Sequence, residues 1–244
     1  MLPSILDLHL LIFGLEIILA FILVLWLRYM GRGEPAPWGF LFKLLFFGSL
    51  TAILAGYVEI RYSFIISPVS ANPVLLENLN NGAASLTEEL AKYFAATFTI
   101  INTRHFHKLS DAILYMIIIG LGFSLVEDAF FLISPQTDAP YRLLSFYLHS
   151  GTSAIIGYHL GRFKYKLDGY PQLMLGVFYA VLLHFSYNWA TSLQRGDLGF
   201  YLTVSITLYI SLQIFILYRR AIIEEFKLDH KKTARPRVKL LNLE

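Results

Sequence analysis

The chain has no cysteine, which excludes disulfides, a thiolate nucleophile and a cysteine-based zinc site. Charge is scarce too: 15% of the 244 residues are Asp, Glu, Lys or Arg, against 56% that are hydrophobic. There is no Gly-rich phosphate loop, and basic patches interleaved with aromatics are missing. The net charge of +3 therefore does not point to nucleic acid, and its excess gathers in residues 219–239, near anionic lipid. No internal repeat of the transporter kind is evident. The first apolar run has no basic n-region before it and is too long for a signal peptide, so it reads as a retained anchor.

What the chain has instead is apolar runs of about 18 residues or more along its whole length, each able to cross a hydrocarbon core. The expected fold is all-α: a polytopic integral membrane helix bundle of about seven transmembrane helices, in the cell (cytoplasmic) membrane. The spans fall near 5–28, 38–60, 86–103, 110–133, 141–162, 170–191 and 198–218. The stretch "SPVSANPVLLENLNNGAAS" between spans two and three reads as a loop because of its Pro, Asn and Gly. Its "PVLLENL" core is a candidate interfacial or re-entrant helix, which would make eight helices. Lys and Arg concentrate in alternate connections: Arg28 and Arg32, then Arg104 and Lys108, then Arg162, Lys164 and Lys166, then the tail. Arg61, Arg142 and Arg195 stand in the others. This bias places the N-terminus outside and the C-terminus in the cytoplasm. Residues 1–218 are expected to form the bundle, with a core at about 85–190, and residues 219–244 a basic cytoplasmic tail.

Ionisable residues inside spans are costly and face a protein interior or a wet cavity. With a rise of about 1.5 Å per residue, Glu127 falls about 9 Å below the outer boundary, His149 about 12 Å and His184 about 10–12 Å. Glu88 and Glu89 fall in the first turn of span three. Four helices thus bring carboxylates and imidazoles to one outer layer. Small residues at helical spacing (Gly120 and Ser124; Ser153, Gly157 and Gly161; Gly176 and Ala180) mark the close-packed faces that carry them.

Each residue has a plainer reading. Ser85-Leu-Thr-Glu88 fits a capping box, and Glu89 with Lys92 fits an ion pair at three-residue spacing. Asp128 fits a position near the outer headgroups. A single His on a small-residue stripe, such as His149 or His184, is usually a packing residue. His159 lies away from the shared layer and is assigned no role. His9, His105, His107 and His230 carry no signal, and Glu16 is expected to be paired or structural. Joint occurrence at one depth favours a hydrolytic site: a carboxylate base activates water, and imidazoles with Asn188 stabilise the oxyanion.

In order and helix placement, Glu88-Glu89-Leu-Ala-Lys92, Phe123-Ser-Leu-Val-Glu127-Asp128, His149 and His184-Phe-Ser-Tyr-Asn188 resemble the four motifs of PrsW-family intramembrane proteases. That family shares a superfamily with CAAX-prenyl endopeptidases and Abi proteins. Glu127 stands where the CAAX branch has His, and Asp128 departs mildly from the Asn frequent in PrsW proteins. The resemblance implies a membrane-embedded endopeptidase. In the founding branch the substrate is a single-span anti-sigma factor, cut on its extracytoplasmic side in regulated proteolysis.

Glu88 or Glu89 is then the base, with Glu88 preferred, and Glu127, His149, His184 and Asn188 surround the carbonyl. Lys92 and Asp128 support them. Two chemistries fit: a divalent metal such as zinc held by Glu127, His149 and His184, or a metal-free glutamate protease. No local HExxH spacing decides between them. The competing readings are a proton-coupled membrane transporter, a CAAX-type or Abi-like protease with another substrate, and a non-catalytic scaffold. A proton relay should spread its groups across the membrane, and these stop at one side.

Overall fold

The computed structural model describes residues 5–30, 35–69, 72–133, 139–193 and 197–233. Arg32, Arg195 and the end of the tail, including Leu243-Glu244, lie outside the described residues. Among those described there are seven α-helices and no strand: α1 (Ile5–Met30), α2 (Trp38–Ile66, followed by a 3₁₀ turn at Ser67–Val69), α3 (Pro73–Thr99), α4 (Leu109–Ile133), α5 (Ala139–Lys164), α6 (Tyr170–Ser192) and α7 (Asp197–Thr233). By length and composition, α1, α2, α4, α6 and α7 are long and apolar enough to cross a membrane. Helices α3 and α5 fall short because they carry the polar residues of the bundle interior.

The third helix departs from expectation. It begins at Pro73, so "PVLLENL" is neither loop nor separate helix but the first two turns of α3. Asn72 caps it, its side-chain oxygen accepting from the Val74 and Leu75 amides, and Pro73 takes the first helical position. Glu88 and Glu89 therefore lie about four turns inside the helix, roughly 22 Å from its start, rather than in a first turn. The capping-box reading is overturned: Ser85 Oγ instead donates to Asn81 O at 2.8 Å. The Asn-Asn-Gly run inside the helix costs roughly 0.5–1 kcal/mol per residue. Burial of Ser85, Lys92, Tyr93, Ala95 and Ala96 along the following turns offsets it.

Helix α4 is the hub, buried almost continuously from Leu109 to Ser124. Glycines set its distance to its neighbours. A Cβ on Gly48 of α2 would run into the Ile119 carbonyl of α4, and one on Gly122 into the Leu45 carbonyl of α2. On the other side, a Cβ on Gly157 of α5 would stand 2.6 Å from Ala112 O and one on Gly161 2.8 Å from Leu109 O. The small-residue stripe of α5 thus packs backbone to backbone on α4, as the spacing implies. The ring of His159 packs over Gly176 of α6, away from the polar layer.

Helix α7 does not stop near residue 218. It continues to Thr233, Ala221 is buried, and Glu225 accepts the Ser110 amide at 2.6 Å. A carboxylate there satisfies a free N–H in the first turn of α4 and complements the helix dipole. Glu224 pairs with Arg162, which also holds Asp168 at 2.5 and 2.9 Å.

Candidate active site

The predicted polar residues of α3, α4, α5 and α6 meet at the end of the bundle where α5 begins and α6 ends. They flank a cavity of about 730 Å³ lined by Glu59, Glu88, Glu127, Arg142, His184 and Asn188 among others. The tight α4–α5 contact positions His149: a Cβ on Gly120 would lie 2.5 Å from the His149 carbonyl and 2.6 Å from Ser153 Oγ. The His149 ring rests on Phe123, centroids 4.9 Å apart, and stands edge-on to His184 at 5.1 Å.

Hydrogen bonds give each member of the Glu pair a different environment. Glu89 is fully buried, and its Oε1 meets Lys92 Nζ at 2.7 Å, Thr152 Oγ1 at 2.9 Å and His184 Nδ1 at 2.8 Å. The i,i+3 ion pair with Lys92 is therefore present, and Glu89 is saturated on that oxygen. Glu88 is 6% exposed and lines the cavity, and its Oε2 has no hydrogen-bond partner. That oxygen lies 3.8 Å from His149 Nδ1 and 3.7 Å from His184 Nε2.

The outer nitrogens of the two rings are each bound to a carboxylate. His149 Nε2 is 2.6 Å from Glu127 Oε2, and His184 Nδ1 faces Glu89. A carboxylate partner assigns the proton to those nitrogens, so His149 Nδ1 and His184 Nε2 present lone pairs inward. Lys92 Nζ approaches the first of these at 3.2 Å. Glu88, His149 and His184 form a group whose donor atoms lie within 4.8 Å of one another. Ligands at 2.0–2.2 Å around a tetrahedral zinc are roughly 3.3–3.6 Å apart; the two Glu88–imidazole distances come within a few tenths of an ångström of that, and the set as a whole would contract by up to about 1 Å to close. An orphaned carboxylate oxygen, two inward lone pairs and a carboxylate behind each ring fit a divalent cation. A cation there requires Lys92 to rest on Glu89 alone. The carboxylate in this set is Glu88, whereas the sequence grouped Glu127 with the two His residues; Glu127 lies behind His149.

Asp128 is not at the headgroups. It is buried, accepts from Ser124 Oγ at 3.1 Å and pairs with Arg142. Arg142 is likewise no loop charge but a buried residue of α5, with Nη2 3.3 Å from Glu127 Oε2. Asn188 Nδ2 donates to Ser85 Oγ at 3.2 Å, joining α6 to α3 beside Glu88. Sequence reading missed Arg142, Thr152 and Glu59 here. Glu59 was legible as a carboxylate within a span; Thr152, one turn after His149, had no distinguishing signal. Glu16 of α1 is fully buried and faces the Asp128 carboxylate.

Comparison with known proteins places the chain in a family. Residues 36–217 match the family model described as PrsW family intramembrane metalloprotease. Protease PrsW of Geobacillus kaustophilus is 26% identical over 172 residues, covering 69% of this chain and 74% of that protein. Protease PrsW of Halalkalibacterium halodurans is 28% identical over 153 residues, 62% of this chain and 69% of the relative. Protease PrsW of Shouchella clausii is 33% identical over 85 residues, 34% and 40% of the two chains. No solved structure matches the chain. The chain thus belongs to the PrsW family of intramembrane metalloproteases, and is a membrane-embedded hydrolase of protein substrates.

Proposed function

We propose that this protein cuts membrane-protein substrates at the extracytoplasmic side of the cell membrane, at a centre formed by Glu88, His149 and His184. The observation that carries the reading is Glu88 Oε2: buried, without a partner, facing two imidazole lone pairs beside a polar cavity. Seven spans with the N-terminus outside put that cavity on the extracytoplasmic face. The basic residues support this orientation, since Arg104, Lys108, Lys164, Lys166, Arg219 and Arg220 all belong to the opposite end. The cleaved partner is, on the family resemblance, a single-span protein of the anti-sigma-factor type.

Glu88, His149 and His184 would hold a zinc ion, which when bound polarises a peptide carbonyl and lowers the pKa of a water. The chain's own groups do the rest. With Oε2 committed to the zinc, the second oxygen of Glu88, Oε1, accepts the proton of the attacking water and returns it to the leaving amine. Glu127 and Glu89 fix the tautomer and tilt of the two imidazoles. Lys92 and Thr152 keep Glu89 in place, so the His184 orientation is not left to solvent. Asn188, held by Ser85, lines the wall where the developing oxyanion needs a donor.

A proton relay lacks support from α4: residues 112–119 are buried and carry no carboxylate or imidazole, so this helix offers no relay group beyond the polar layer. The test is metal content together with proteolysis. Purified protein is expected to hold one zinc per chain, and chelation should abolish cleavage of a tagged single-span substrate, with zinc restoring it. Full cleavage by metal-free protein contradicts the zinc assignment, and wild-type cleavage by His184→Ala contradicts the site.

A further inference from the structure

We infer that Arg142 is a positioning residue of this active site: it holds the Glu127 carboxylate against His149, and this rests on His149 belonging to the reacting centre. Arg142 lies in the first turns of α5, is 8% exposed, and is outside all four motifs. Its guanidinium spans two adjacent carboxylates. Nε donates to Asp128 Oδ1, and Nη2 sits against that same oxygen and 3.3 Å from Glu127 Oε2. Glu127 Oε2 is also the oxygen 2.6 Å from His149 Nε2. One oxygen is thus held between a fixed cation and the imidazole N–H that sets the direction of the inward Nδ1.

The fork is itself immobilised. Asp128 is tied back to Ser124 one turn earlier, and the Phe131 ring lies 3.9 Å from the guanidinium carbon. Glu127, by contrast, is 26% exposed and borders the cavity. Without the Nη2 contact its side chain has other rotamers open toward water, and His149 loses its constraint. The contacts with Asp128 leave Nη2 without a hydrogen-bond partner, and the Glu127 oxygen at 3.3 Å is the second carboxylate it faces. The shared Glu127 oxygen is what links it to the chemistry. Lys in its place keeps the charge but cannot span both carboxylates.

The experiment measures kcat and KM of purified protein on a tagged single-span substrate for Arg142→Lys and Arg142→Gln. Each is made in the wild-type and the Glu127→Gln background, with His149→Ala alongside. Arg142→Lys tests the geometry with the buried charge retained, in case Arg142→Gln weakens the fold by leaving Asp128 unpaired. The expected result is a kcat loss of roughly 10–100-fold for Arg142→Lys with KM within about twofold. In the Glu127→Gln background the further loss should be under about twofold, because the two residues act as one unit. Wild-type kcat in Arg142→Lys, or the same fold-loss in both backgrounds, overturns the inference. An inactive His149→Ala beside an unaffected Arg142→Lys overturns this inference alone, whereas an active His149→Ala overturns the site reading as well.

Discussion

Replacing Lys92 by Met tests how the buried polar layer is balanced. Lys92 and Glu89 are both fully buried and 2.7 Å apart. Removing one partner of a buried pair costs about 3–5 kcal/mol, because the other charge stays uncompensated. Glu89 keeps two donors, Thr152 and His184, each offsetting on the order of 1 kcal/mol. The expected loss for Lys92→Met is therefore at the low end, about 3 kcal/mol, or roughly two orders of magnitude in the unfolding constant. In the double variant Glu89→Gln/Lys92→Met both charges are gone, and the loss should shrink to about 1 kcal/mol. Reversible unfolding in mixed micelles, followed by circular dichroism, measures both. The reasoning is refuted if Lys92→Met costs under about 1 kcal/mol, as an exposed pair would, or if the double variant is no more stable than the single.

Gly120→Ala should push α5 away from α4 at His149, since the new Cβ would lie 2.5 Å from the His149 carbonyl. A displacement near 1 Å predicts a kcat loss on the order of 100-fold with helix content retained; a variant with wild-type kcat contradicts it. At the other end, hydrogen bonds from Arg162 hold the Asp168 carboxyl below its ordinary range. Its contribution is thus complete above about pH 4, the unfolded carboxyl's pKa, and is lost as pH falls through the lower folded value. Melting curves between pH 7 and 3 should show an acid limb that Asp168→Asn flattens; an identical limb in that variant rules the contribution out.

Much of the site was legible because ionisable residues in an apolar chain are few and their helical depth can be counted. Glu127, His149 and His184 were found that way, and the glycine stripes correctly marked the α4–α5 contact. The start of α3 is obscured in the sequence because Asn and Gly favour loops, although Asn72-Pro73 is a good cap and first position. Placing Glu88 and Glu89 in a first turn then made a capping box plausible. Arg142 stands near a connection in the sequence; that its guanidinium turns inward depends on Asp128 and Glu127 across the helix pair, which no local pattern encodes. The partition of roles within the Glu pair was likewise illegible. It comes from Thr152 and His184 reaching Glu89 from α5 and α6, while Glu88 faces the cavity.

The most direct test of the central claim is the cleavage rate of Glu88→Gln in purified, lipid-reconstituted protein with a tagged single-span substrate. Gln preserves the shape of the side chain and removes the proton acceptor and the charge. The account predicts a kcat loss of at least roughly 100-fold, with Glu89→Gln folding less stably. Cleavage by Glu88→Gln at the wild-type rate would contradict it.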